Sequence, residues 1–131
     1  MENKKMKVLV VEPMKKPYVK EIDSGLASLQ HEVGGYIQAV DPWEEPCSII
    51  CDEESKLKGA ELNRALRDED GYIYDVVAGT FLIVGLSEDS FTSLTEEQIQ
   101  QFSKKFAVPE MFLRINHTVV VMPVEDSEDE G

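Results

Sequence analysis

Cysteine is nearly absent from this chain: Cys47 and Cys51 are the only two in 131 residues. That excludes a disulfide-stapled scaffold, and a reduced pair is the expectation. Their Cys-x-x-x-Cys spacing lacks the two-residue gap of zinc ribbons and redox motifs. On a strand the two thiols would share a face yet lie too far apart for a disulfide. His31 and His117 sit in no ligand pair, so no metal site is expected. Long hydrophobic runs are also missing. The longest, Val76–Leu86 and Val119–Val124, are strand-sized, so no membrane span is expected. The run Val8–Val11 behind Lys4, Lys5 and Lys7 is too short for the hydrophobic region of a signal peptide, which points to the cytoplasm. Basic residues are scarce: 13 Lys and Arg stand against 26 Asp and Glu. Direct binding to DNA or RNA phosphates is disfavoured on that ground.

What is present is a domain-sized chain, long enough to bury a core. Its formal net charge of −13 is uneven, because the first twenty residues carry a net of +4 and the rest −17. That field favours solubility and attraction to basic protein surfaces.

The stretch from Asp23 to Val40 reads as a helix-to-strand unit. Asp23 or Ser24 is the expected N-cap, Leu26, Leu29 and Val33 fall on one face, and Gly34 or Gly35 ends the helix. Tyr36–Val40 then follows as a strand. Ahead of this unit, Met6–Val11 and Tyr18–Ile22 flank the turn Glu12–Pro17 and predict a β-hairpin. After it come a proline-rich loop holding Trp43, expected at the edge of the core, and a strand over Cys47–Cys51. Gly59–Leu66 is open between a short helix and an ordered loop, and Asp68–Gly71 is a turn. The apolar run from Val76 to Gly85 predicts a central strand buried on both faces, with Gly79 marking a bulge or a close backbone approach. Thr95-Glu96-Glu97-Gln98 is a capping box, with Leu94 and Ile99 as a hydrophobic staple and Phe102 and Phe106 on the buried face. Leu113–Met122 alternates as a single strand.

No activated nucleophile, phosphate loop or paired-carboxylate motif stands out, so neither an enzyme nor a cofactor is expected. Gly34-Gly35 follows a helix and so does not match a dinucleotide fingerprint. The acidic turns Asp52–Glu54 and Asp68–Asp70 lack the ligand spacing of a calcium loop. Asn63 and Arg64 are polar residues set between acidic turns. Such an arginine either forms a structural ion pair, the commoner case, or reads an anionic ligand through its planar fork. Gln30 is required neither by capping nor by core burial.

Leu26, Leu29, Gln30, Val33, Gly34, Gly35 and Ile37 complete a Leu-x-x-Leu-Gln-x-x-Val-Gly-Gly-x-Ile pattern. With Asp52-Glu53-Glu54-Ser55-Lys56-Leu57, the downstream Asn63 and the Asp75-x-x-x-Gly79-Thr80 block, the chain resembles an uncharacterised family. That family is carried by phages and by conjugative or integrative elements of Firmicutes. Asp52 and Ser55 depart from its Asn-Glu-Glu-Gly-Lys-Leu segment. The resemblance implies a mobile-element accessory protein, and by association one that counters host defence.

The expected fold is α+β: a mostly antiparallel sheet with two helices packed on one face. Residues 1–109 form a single domain, 110–124 a C-terminal strand and 125–131 an acidic disordered tail. The expected function is non-enzymatic sequestration of a small ligand such as a nucleotide signal, with Gln30, Asn63 and Arg64 as its polar groups. The alternatives are an acidic inhibitor that imitates DNA charge against a host nucleic-acid enzyme, and a structural or regulatory partner module. A homodimer through Leu113–Met122 would protect that strand from aggregation.

Overall fold

A computed structural model describes residues 5–124. The expected acidic tail lies outside the described residues. The chain runs β1 (Lys5–Val11), β2 (Tyr18–Asp23), α1 (Leu26–Val33), β3 (Ile37–Val40), β4 (Cys47–Asp52), β5 (Leu62–Arg67), β6 (Ile73–Ala78), β7 (Phe81–Leu86), β8 (Phe91–Thr92), α2 (Glu96–Lys105), β9 (Glu110–Ile115) and β10 (Thr118–Pro123). The main sheet has the order β2-β1-β7-β4-β3, with β8 added on β7, and every pairing in it is antiparallel. The fold is therefore α+β with a mostly antiparallel sheet, as expected.

The helices, however, pack on opposite faces of that sheet. Successive side chains of a strand point to opposite sides. Leu9 and Val11 of β1, Ile49 of β4 and Phe81 and Ile83 of β7 join Phe102 and Phe106 on the α2 side. Val8 and Val10, Ile50, and Leu82 and Val84 of the same strands join Leu29 on the α1 side. A strand covered on both sides has no polar face, which is why β7 reads as a continuous apolar run.

Three further expectations are corrected. The apolar run from Val76 to Gly85 is two strands. Gly79 turns the chain at φ 76°, so β6 pairs with β5 in a separate two-stranded sheet and only β7 is central. Gly59–Leu66 is neither helix nor loop throughout, since β5 begins at Leu62. The C-terminal stretch is a hairpin. Asn116 and His117 both take positive φ, 49° and 69°, which reverses the chain between β9 and β10.

The helix ends follow local chemistry. Thr95 accepts the Gln98 N–H while the Gln98 side chain accepts the Thr95 N–H, and Glu96 and Glu97 occupy the favoured first turn of α2. Helix α1 instead starts at Gly25 with no side-chain cap, contrary to expectation. Asp23 ends β2 and its carboxylate is committed to Lys5 at 2.9 Å. At the other end Gly34 takes the left-handed conformation and its N–H reaches the Gln30 carbonyl. Trp43 stacks on Phe102 with ring centroids 4.5 Å apart, at the core edge as expected.

Candidate functional site

Asn63 and Arg64 lie in β5 and are almost completely buried. The Asn63 amide donates to the Val11 carbonyl at 2.9 Å and the Gly79 carbonyl at 2.8 Å. Its Oδ1 accepts from Arg64 Nη1 at 2.8 Å. The rest of the guanidinium is spent on backbone carbonyls: Nη2 on Lys15 at 2.7 Å and Phe106 at 2.9 Å, Nε on Phe106, and Nη1 also on Asn63. With its five donors satisfied in this way, the fork ties the β1–β2 turn, β5 and the end of α2 together. Burial pushes the Arg64 guanidinium below its usual range, and the Glu110 carboxylate opposes that. Arg64 is thus neither the expected ion pair nor an open anion reader, since its guanidinium N–H groups are all paired within the protein.

Gln30 stands on the other side of the sheet, on α1. The structure therefore does not bring Gln30 together with Asn63 and Arg64. Its carbonyl accepts from Gly34 and Gly35, at 2.8 and 3.2 Å. Its half-buried side-chain amide makes no hydrogen bond with the described residues.

A second knot joins Gly34, Asp52 and Glu54 of the pattern through Lys58. Asp52 accepts from Lys58 Nζ at 2.7 Å and from the Glu54 N–H at 2.9 Å, and Lys58 also reaches the Gly34 carbonyl at 3.2 Å. The Lys58 ammonium holds the Asp52 carboxyl below the ordinary carboxylate range. Both cysteines are free and buried, on β4. Burial pushes the Cys47 thiol up to about 11 and raises Cys51 as well, which makes both poor nucleophiles. No group of three or more His, Cys, Asp or Glu among the described residues could hold a metal ion. No described helix is long and apolar enough to cross a membrane.

Open space lined in part by polar groups lies elsewhere. A cavity of about 400 Å³ sits where β8 meets the start of α1. Met6, Leu29 and Phe91 supply apolar walls, and Ser24, Ser90 and Thr92 supply hydroxyls, that of Ser90 already paired with Ser87 Oγ at 3.0 Å. The N–H groups opening α1 have no side-chain acceptor there. Leu26 lines the same cavity, and Gln30, four residues on, is its neighbour along the helix face. Sequence reading missed these hydroxyls because Ser90–Ser93 is distant in the chain from Ser24. The Lys7 N–H donates to Ser93 Oγ at 2.9 Å, which fastens that segment to β1. The only signal in the sequence was the density of serines from Ser87 to Ser93.

A second, open trough of about 700 Å³ runs past Trp43 and Tyr74 between Glu44, Glu45, Asp68, Glu69 and Asp70, with Arg67 and Lys105 on its walls.

No curated protein and no solved structure matches the chain. A family model does match, over residues 6–107, so the two knots, both cores and all of the cavity's lining but Lys5 fall within it. The chain belongs to that family, which is described as a domain of unknown function (DUF3846).

Proposed function

We propose that this protein is a non-enzymatic accessory protein of phages and conjugative or integrative elements of Firmicutes, acting against host defence by sequestering a small ligand such as a nucleotide signal. The cavity between β8 and α1 carries the reading. It is concave, part apolar and part hydroxyl-lined, and of a size that suits a small molecule. Its uncapped helix start suits an acceptor-rich group such as a phosphate. The ligand site moves accordingly from Asn63 and Arg64 to Ser24, Ser90 and Thr92, with Gln30 one helical turn from Leu26.

Isothermal titration with cyclic and ADP-ribose-derived nucleotides tests the reading. Binding heat is expected for at least one of them, lost in Ser24→Trp, which fills the mouth of the cavity. Absence of heat across the panel, together with no small molecule co-purifying in native mass spectrometry, would reject it.

A second reading draws on the open trough. Its five carboxylates and two aromatic rings suit the basic face of a nucleic-acid enzyme, in imitation of phosphate charge. Capture of such an enzyme should then weaken steeply with salt. Capture that is indifferent to salt would count against it.

A further inference from the structure

A cleft of about 200 Å³ lies where β3 and β4, at one end of the main sheet, meet β6. It shares no residue with the cavity beside α1. Val40, Leu66 and Val77 give it apolar walls. Ser55 lines it too, from the turn that follows β4, and is only 7% exposed. The backbone holds Ser55 on both sides: its N–H donates to the Asp52 carbonyl at 3.1 Å, and its carbonyl accepts the Ala60 N–H at 3.0 Å. Its hydroxyl, by contrast, has no hydrogen-bond partner among the described residues. Every side-chain oxygen or nitrogen sealed from solvent in those residues is paired. The unpaired Ser55 Oγ is therefore not sealed, and the open space that Ser55 lines is this cleft.

The lining charges select what the missing partner carries. Asp52, Glu53 and Asp75 line the cleft against a single cation, Lys56. Lys58 holds Asp52 at 2.7 Å and Lys56 holds Asp75 at 3.1 Å, which leaves the Glu53 carboxylate unpaired among the described residues. No group of three or more His, Cys, Asp or Glu there could hold a metal ion, so the matching cation is organic. We propose that the cleft binds a small primary amine with an apolar body. The ammonium has three N–H donors, of which Ser55 Oγ accepts one while the Glu53 carboxylate attracts the charge. The apolar body rests on Val40, Leu66 and Val77, where its burial is favourable. An anion would be repelled by the same lining. At about 200 Å³ the cleft is smaller than the roughly 300–1,000 Å³ of drug-sized sites, so this ligand is smaller than a nucleotide.

Amide NMR titration of the isotope-labelled full chain tests the proposal with three probes of one apolar body: isoamylamine, isoamyl alcohol and isovalerate. The amine should shift amides of β3, β6 and the turn from Asp52 to Lys58, and leave those of α1 and β8 in place. The alcohol should bind about tenfold more weakly, by the loss of a hydrogen bond to a charged group, and isovalerate should not bind. Ser55→Ala should weaken the amine by about the same factor. Its melting temperature should not change, because the hydroxyl has no protein partner to lose. Glu53→Gln, at an exposed position, should weaken the amine and leave the alcohol unaffected. A chain that shows no shift with the amine overturns the proposal, as does one that binds the three probes equally or prefers isovalerate. Wild-type amine affinity in both variants overturns it as well.

Discussion

Gly35 lies against the carboxylate of Asp52, so closely that a Cβ at position 35 would sit 2.8 Å from Cγ and both oxygens. The carboxylate has little room to retreat, because Lys58 and the Glu54 N–H hold it. The second glycine of the Val-Gly-Gly run is thus explained by a close approach, whereas Gly34 is explained by its left-handed backbone. Gly35→Ala should destabilise the fold by about 1–3 kcal/mol, the usual cost of overpacking. In an Asp52→Ala background the same change should cost markedly less. Urea unfolding of the four proteins of that cycle measures the coupling, and purely additive values would contradict the contact.

The same carboxylate predicts an acid limb. Lys58 lowers the Asp52 pKa in the folded state, so the folded form binds this proton more weakly than the unfolded chain does. The stabilisation is complete above the ordinary value of 3.8 and is lost as pH falls through the lowered folded value. Below pH 3.8 the wild-type melting temperature should therefore fall faster than that of Asp52→Asn, which has no such proton to take up. Parallel melting curves across that acid range would argue against the linkage.

Arg64 makes the sharpest contrast between a ligand reader and a structural knot. Arg64→Met leaves the carbonyls of Lys15 and Phe106 and Asn63 Oδ1 without their donor. At about 1–3 kcal/mol for each buried group left unpaired, the loss should be at least about 3 kcal/mol. Arg64→Lys keeps the charge but cannot span three acceptors in a plane, and it too should be destabilised. Chemical denaturation checks both. A stable Arg64→Lys protein that had lost ligand binding alone would restore the reading of Arg64 as a ligand contact.

The buried thiols give a simple test of the packing around β4. Cys47 and Cys51 should resist a thiol reagent at neutral pH in the native protein and react together once it unfolds. Fast labelling of either thiol under native conditions would show that the core opens there.

The elements most legible in the sequence are those whose determinants are local. The capping box at Thr95, the staple pair Leu94 and Ile99, and a glycine end to α1 at Gly34 or Gly35 need only neighbours a few residues away, and each is readable, though only the structure chooses Gly34. Determinants that act at a distance were hidden. Asn63 and Arg64 interrupt an apolar strand, so β5 resembled a helix or loop with a polar site. Their partners, the carbonyls of Val11, Lys15, Gly79 and Phe106, become neighbours only after folding. The reversal at Asn116-His117 carries no local signal, because two-residue turns with positive φ usually include glycine, and none stands there. That the helices cover opposite sheet faces is not legible in the sequence, because an apolar residue does not announce which of two covered sides it serves.

That last point bears on how the chain finds a single alignment. Val8–Val11 and Phe81–Val84 are buried on both sides. A one-residue slip of either strand would exchange one apolar surface for another, so burial alone discriminates poorly between neighbouring alignments. Polar contacts do the discriminating. The Asn63 amide seeks the Val11 carbonyl, the Lys7 N–H seeks Ser93 Oγ, and the Leu94 N–H seeks the Lys7 carbonyl at 3.0 Å. These act as addresses written along an otherwise uniform strand. A chain with Asn63 and Ser93 replaced by apolar residues of similar volume would still collapse, but into several interchangeable alignments where the native one is unique.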